Sequence, residues 1–142
     1  MTTKHYDPDQ VQTLFNGILL EGFAEDSMID IEWDVEAFKL VRGVDGGITR
    51  SKVLGRTATA TIHFMQSSRS NGILTGIHTQ DLLSPGGAGV GPFMCRDGNG
   101  ASLFVTDEAW IVGFPTIAYG GQAGPRDWKI VCVSPKVIEA GT

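Results

Sequence analysis

Three carboxylates at alternate positions, Asp30, Glu32 and Asp34, are the densest set of groups in this chain that could do acid–base chemistry. Paired carboxylates act as general acid and general base when their surroundings push their proton affinities apart. A spacing of two residues sets all three in a row along one side of an extended strand. On such an open face desolvation is slight, and the raised pKa that a general acid needs is hard to obtain. The row suits a wall of negative potential better than a catalytic pair. Other candidates are weaker. His5, His63 and His78 fall in an N-terminal arm, a strand and a helix end, and neither a GxSxG elbow nor an HExxH pair is present. Cys95 and Cys132 lie 37 positions apart with no CxxC and no histidine at zinc-ligand spacing, so both read as small buried apolar residues. Asp97 and Asn99 open like a calcium loop, but the remaining ligands and the closing glutamate are missing, and Asp97 to Gly100 reads as a hairpin turn. In the run Gly86 to Gly91, Pro92 stands where a dinucleotide fingerprint needs its third glycine. No P-loop lysine and no helix start follow it, so the run reads as a loop. No catalytic, cofactor-binding or metal-ligating residue is expected, and the chain is not expected to be an enzyme.

The elements that carry these residues are mostly strands. From Ile29 to Val35 the alternation is complete, with Ile29, Ile31, Trp33 and Val35 on one face and the three acids on the other. It recurs from Thr57 to Phe64, where Ala58, Ala60, Ile62 and Phe64 oppose Thr57, Thr59, Thr61 and His63. Further strands are expected at Val11 to Phe15, Phe38 to Val41, Phe93 to Arg96, Ser102 to Val105, Ala109 to Phe114 and Trp128 to Val133. Glycine makes up 19 of the 142 residues, nearly double the usual share of about 7 per cent, and it clusters between the apolar runs as turn punctuation would. Residues 68–83 break the pattern: Ile73, Leu74 and Ile77 share a helical face, with Ser68 or Ser70 available as N-cap. Gly72 and Gly76 each weaken that helix by about 1 kcal/mol relative to alanine, so packing must hold it.

Charge is split along the chain. Residues 21–36 carry seven acids and no base (Glu21, Glu25, Asp26, Asp30, Glu32, Asp34 and Glu36), whereas residues 39–56 carry five bases, Lys39, Arg42, Arg50, Lys52 and Arg56, against Asp45 alone. Like charges in one block repel, so blocks of opposite sign fit a surface that meets another copy of itself. The other reading is two solvated edges of one hairpin, paired within the chain. A net charge of −5 with no Lys/Arg run argues against a protein that grips phosphates. The length fits one domain over residues 1–142, with residues 1–5 as an arm and 134–142 as a tail that packs outside or stays flexible. Behind the lysine of MTTKHYDPDQ no apolar h-region follows and no long apolar stretch occurs, so a soluble protein without a membrane anchor is expected.

The segments YDPDQVQTLFNGILLEGFAEDSMIDIEWDVEAFKLVRGVDGGITRS (Tyr6 to Ser51), QSSRSNGIL (Gln66 to Leu74) and GVGPFMCRDGNG (Gly89 to Gly100) resemble, in order and spacing, the tail tube proteins of contractile-tailed bacteriophages. Tubes of type VI secretion systems and contractile bacteriocins are relatives in fold. The resemblance implies a mainly β protomer, sandwich or barrel-like, with one short flanking α-helix at about 68–83 and a long inter-strand loop at about 42–56. It further implies homo-hexameric rings stacked into a hollow tube in the virion, assembled in the host cytoplasm, with the tail sheath, baseplate and tape-measure proteins as partners. DNA would pass through unbound. On this footing Asp30, Glu32 and Asp34, or the hydroxyl face of Thr57, Thr59 and Thr61, are expected to face the lumen. Arg42, Asp45, Arg50, Lys52 and Arg56 are expected to meet Glu21, Glu25 and Asp26 between rings. A tube of a bacteriocin or secretion particle, and a monomeric β-barrel that binds a small ligand in its mouth, remain the alternatives.

Overall fold

The computed structural model describes residues 6–25, 28–98 and 102–139. A 3-10 turn at Pro8–Gln10 leads into β1 (Val11–Phe15), β2 (Ile18–Leu20), β3 (Ile29–Trp33), β4 (Phe38–Arg42), β5 (Ile48–Lys52) and β6 (Thr57–Met65). Helix α1 (Ser70–Leu83) follows, and then β7 (Gly91–Asp97), β8 (Ser102–Ile111), β9 (Pro125–Val133) and β10 (Lys136–Glu139). Eight strands form one sheet in the order β2-β1-β7-β8-β9-β6-β3, with β10 beside β8, and β4 and β5 form a separate ribbon. The pairings are antiparallel throughout.

Strict alternation makes the sheet one-sided. In β6 every second residue, Ala58, Ala60, Ile62 and Phe64, is fully buried, and Trp128, Ile130 and Cys132 of β9 join them from the neighbouring strand. Phe15, Phe93, Phe104 and Ile111 complete the core from the other half of the sheet. The sheet curls so that its two ends approach. Phe23 bridges to Phe64 and stacks on it at 5.4 Å, while β2 ends at Leu20, three residues earlier. Three residues span at most about 10 Å, so the β2 edge and the β6 flank lie side by side at that end. Gly22 makes the corner: its φ is +78°, and a Cβ there would come within 2.5 Å of Ser68 Oγ. The result is a curled, sandwich-like sheet whose outer strands β2 and β3 each keep one edge unpaired within the sheet.

Helix α1 covers the open side of the core through Leu74 and His78, both buried. Asn71 ties it down: its Oδ1 accepts from Trp128 Nε1 at 3.0 Å and its Nδ2 donates to the Met65 carbonyl at 2.9 Å. The helix starts at Ser70, and the residue at its N-cap position is Arg69, which makes no side-chain cap bond. Neither of the two serines expected as N-cap occupies that position. Ser68 Oγ accepts from Ser70 N at 3.2 Å and donates to the Glu21 carbonyl, and Ser70 Oγ accepts from Glu21 N at 2.9 Å.

Other expectations need correcting. Residues 42–56, expected as a long inter-strand loop, hold a strand: β5 pairs with β4 in register, Leu40 opposite Arg50 and Arg42 opposite Ile48, so the segment is half of a β-hairpin. Ser102–Val105 and Ala109–Phe114 are not two strands but one, β8, ending at Ile111. The polar stretch that suggests a break is a bulge, where the buried Thr106 hydroxyl donates to the Val133 carbonyl at 2.6 Å and accepts from Glu108 N at 3.3 Å. The alternation of β3 stops at Trp33, before Val35. Part of the expected tail is a strand, β10 on β8, entered through Ser134 at φ 45°. The arm with His5, Asp26, Asn99 and Gly100 of the expected turn, and the last three tail residues lie outside the described residues.

Candidate functional site

Two surfaces stand out, a polar wall on the outer face of β3, β6 and β9, and the β4–β5 arm. Register puts the expected lumen residues on one face: Asp30 lies opposite Thr61 and Glu32 opposite Thr59. The acids and the threonines, expected as alternatives, therefore share one face. Asp34 accepts from Thr57 Oγ1 at 2.7 Å and from Thr59 Oγ1 at 2.8 Å. Glu32 between them is exposed.

Sequence reasoning left His63 as an isolated histidine, but it is the hub of this wall. Its Nε2 lies 2.8 Å from Asp30 Oδ2 and its Nδ1 2.7 Å from Asp127 Oδ1, which links three strands. A neutral imidazole has one donor only, so two carboxylates on its two nitrogens favour the imidazolium. Burial works against that charge, but the hydrogen bonds to Asp30 and Asp127 and their charges outweigh it and raise the pKa above its ordinary value. With both nitrogens engaged, the ring offers no lone pair to a substrate proton and is a clamp, not a general base. Asp127 was findable from sequence only through the 64-residue offset of the β6–β9 register.

The arm differs in kind. Val53 N donates to the Ala37 carbonyl at 2.8 Å at its base, and its strands pair only with each other. One face carries Phe38, Leu40 and Arg42 beside Ile48, Arg50 and Lys52, so three bases share a surface with three apolar side chains, while Lys39 falls on the opposite face with Val41. All ten strand residues are exposed. Arg50 lies over the Phe38 ring at 4.1 Å, and Arg56, at the base, over Trp33 at 5.4 Å. Asp45 turns inward to the hairpin: its Oδ1 accepts from Gly47 N at 3.1 Å.

Among the described residues no base of 39–56 pairs with an acid of 21–36. The intrachain pairing of the two blocks is therefore absent there, although Glu21 is met by Arg69 at 3.4 Å instead. Glu25 is exposed.

The remaining sites of possible chemistry are closed by their own contacts. In the glycine loop, Gly89 N donates to Asp81 Oδ1 at 3.1 Å and Val90 N to the Gly87 carbonyl at 3.1 Å, so donors that could cradle a phosphate face a carboxylate or are already bonded. Burial pushes the Cys132 thiol up to about 12 and also raises that of half-buried Cys95, which leaves both as thiols of low reactivity. No group of His, Cys, Asp or Glu among the described residues could hold a metal ion, and no described helix is long and apolar enough to cross a membrane.

No protein-family profile matches the chain. In fold the chain is similar to the anti-feeding prophage cap, the tube-terminating cap of that particle, with a TM-score of 0.59 at 9% identity over 99% of this chain and 95% of that one. In sequence it is 35% identical over 134 residues to "Structural protein ORF10" of Pseudomonas phage KPP10, covering 90% of this chain and 78% of that protein. An eight-stranded one-sided sheet with a polar wall and a protruding basic arm thus goes with a phage relative at this level of identity, and the chain belongs to the family of that phage structural protein.

Proposed function

We propose that the chain is a non-enzymatic tail protein whose copies form hexameric rings that stack into the inner tube of a contractile phage tail, a conduit for DNA. The observation that carries this reading is the contrast between a body that buries alternate strand residues in one core and an arm whose ten strand residues are exposed. Sheet edges at β2 and β3 offer unpaired backbone groups to neighbours around a ring, which would remove edges that otherwise aggregate. The wall of Asp30, Glu32 and Asp34 with Thr57, Thr59 and Thr61 then faces the lumen, where a surface of this sign repels phosphates and lets DNA slide. Arg42, Arg50 and Lys52 on the arm, with Lys39 and Arg56 nearby, meet acids of the next ring. One exposed pair contributes about 0.5 kcal/mol, and six copies about 3 kcal/mol before entropy, a sum that salt reduces.

The test is negative-stain electron microscopy of the purified protein at low and high salt, beside the double variant Arg50→Glu/Lys52→Glu. Hollow tubes of uniform diameter, shortened by salt, with the variant forming rings only, are expected. Tubes of normal length from the variant would refute the arm as the stacking element, and a monodisperse monomer throughout would refute the tube. The likeness in fold to a tube-terminating cap favours a second reading, a ring that ends a tube. That reading gives single rings in the wild type at all salt concentrations.

A further inference from the structure

At the end of the sheet away from the arm, the space between α1 and the segment after β8 forms a cleft of about 570 Å3. Asn71, Thr75, Phe114, Ile117, Tyr119 and Trp128 wall it, and Arg126 is its cation. Arg126 is only 7% exposed. Its guanidinium lies 5.5 Å from the Tyr119 ring, and its one hydrogen bond to the chain among the described residues is a long 3.4 Å contact from Nη1 to the Pro125 carbonyl. No carboxylate of the described residues pairs with it. A guanidinium withdrawn from water without a counter-ion is costly, and its planar fork matches a carboxylate. Of the other polar groups of the cleft, Asn71 bonds Trp128 and the Met65 carbonyl, Thr75 Oγ1 donates to the Asn71 carbonyl, and Gln66 Oε1 accepts from Gly124 N. Apolar walls around one nearly buried cation with no counter-ion among the described residues describe a site for an acidic group on an apolar carrier.

The chain itself supplies that chemistry at its opposite end. β6 runs from the arm base at Thr57 to the cleft end at Met65, which pairs with Pro125 beside Arg126, a length of about 30 Å for nine residues. At the arm base Glu36 is exposed between Val35 and Phe38, themselves 43% and 41% exposed, and among the described residues it has no ion-pair partner. Each copy thus carries a cation without an acid at one end and an acid on an apolar stretch at the other, the arrangement of a head-to-tail interface. We infer that the Arg126 cleft is a carboxylate site that receives Glu36, with Val35 and Phe38, from the next copy in a stack. This rests on the stacking reading above.

Sedimentation velocity and electron microscopy of Arg126→Gln, Glu36→Gln and the double variant test it, with circular dichroism melting to confirm folding. Each single change is expected to weaken stacking by about thirtyfold or more, as loss of one member of a buried charge pair does. The double variant is expected to be no worse than either single one. Independent effects of the two changes, or wild-type stacking from folded Arg126→Gln, would overturn the pairing. Phenylacetate serves as the probe of the cleft itself. Saturable shifts of the Arg126 Nε–H and Trp128 indole resonances in the wild type, lost in Arg126→Gln, support a carboxylate site, and their absence overturns it. If wild-type chains never stack, the stacking reading and the second-copy occupant both fall, while this titration still decides what the cleft binds.

Discussion

β6 and the β4–β5 arm are both antiparallel β-structure, yet they obey different rules. In β6 alternate residues are buried and the intervening ones half-exposed, whereas in the arm Leu40, Val41 and Ile48 are all more than half exposed. A lone two-stranded ribbon is marginal in water, and no described residue buries Leu40, Val41 or Ile48. The difference separates two tasks. The body buries a core of its own, and the arm leaves an exposed apolar and basic surface of the kind that marks an interaction site.

The widest gap between the two regions is in stability. Phe64→Ala removes a fully buried ring stacked on Phe23 and is expected to cost about 3–5 kcal/mol in urea unfolding of the monomer. Gly22→Ala comes next, because it combines a positive φ with a clash against Ser68. A loss of about 1–3 kcal/mol is expected, with protection from hydrogen exchange falling first at Ala24 N, which bonds the His63 carbonyl. His63 gives a smaller effect that depends on pH. Its folded pKa lies above the ordinary 6.5, so its contribution is complete below about pH 6.5 and is lost as pH rises through the folded value. The unfolding midpoint of the wild type should fall across that window, and His63→Gln should flatten the fall. If the midpoint is independent of pH in both, the clamp between Asp30 and Asp127 does not hold β3. The least effect is expected in the arm: Ile48→Ser should change monomer stability by less than about 0.5 kcal/mol while reducing self-association. A loss comparable to that of Phe64→Ala would place the arm within the body's core.

Legibility in the sequence follows the same division. β1, β3 and β6 were readable because one buried face imposes a period of two, and Thr57 to Phe64 shows it without interruption. β5, with the sequence ITRSK, has no buried face to pattern it, so its segment reads as a loop in sequence. β2 and β10 are three and four residues long, too short for any period to register. Thr106 to Glu108 looked like a break because a buried hydroxyl was doing a backbone group's work within a bulge. The acids and threonines of the wall were identified, but their union with His63 and Asp127 depends on a register between strands distant in sequence. The same holds for the cleft, whose arginine reads in sequence as an ordinary charged residue beside Pro125.

The place of β9 bears on how the chain is made. It is the penultimate strand in sequence, yet it lies between β8 and β6 and joins the group β2-β1-β7-β8 to the group β6-β3. β1 likewise waits for β7, Val11 pairing with Asp97. Such distant partners form slowly compared with the local β4–β5 hairpin. During synthesis the arm can close early, while the groups β2-β1-β7-β8 and β6-β3 meet only through the Phe23–Phe64 bridge until residues 125–133 leave the ribosome. A chain cut short before that point lacks the strand that joins the two groups, whereas its β4–β5 arm is already whole.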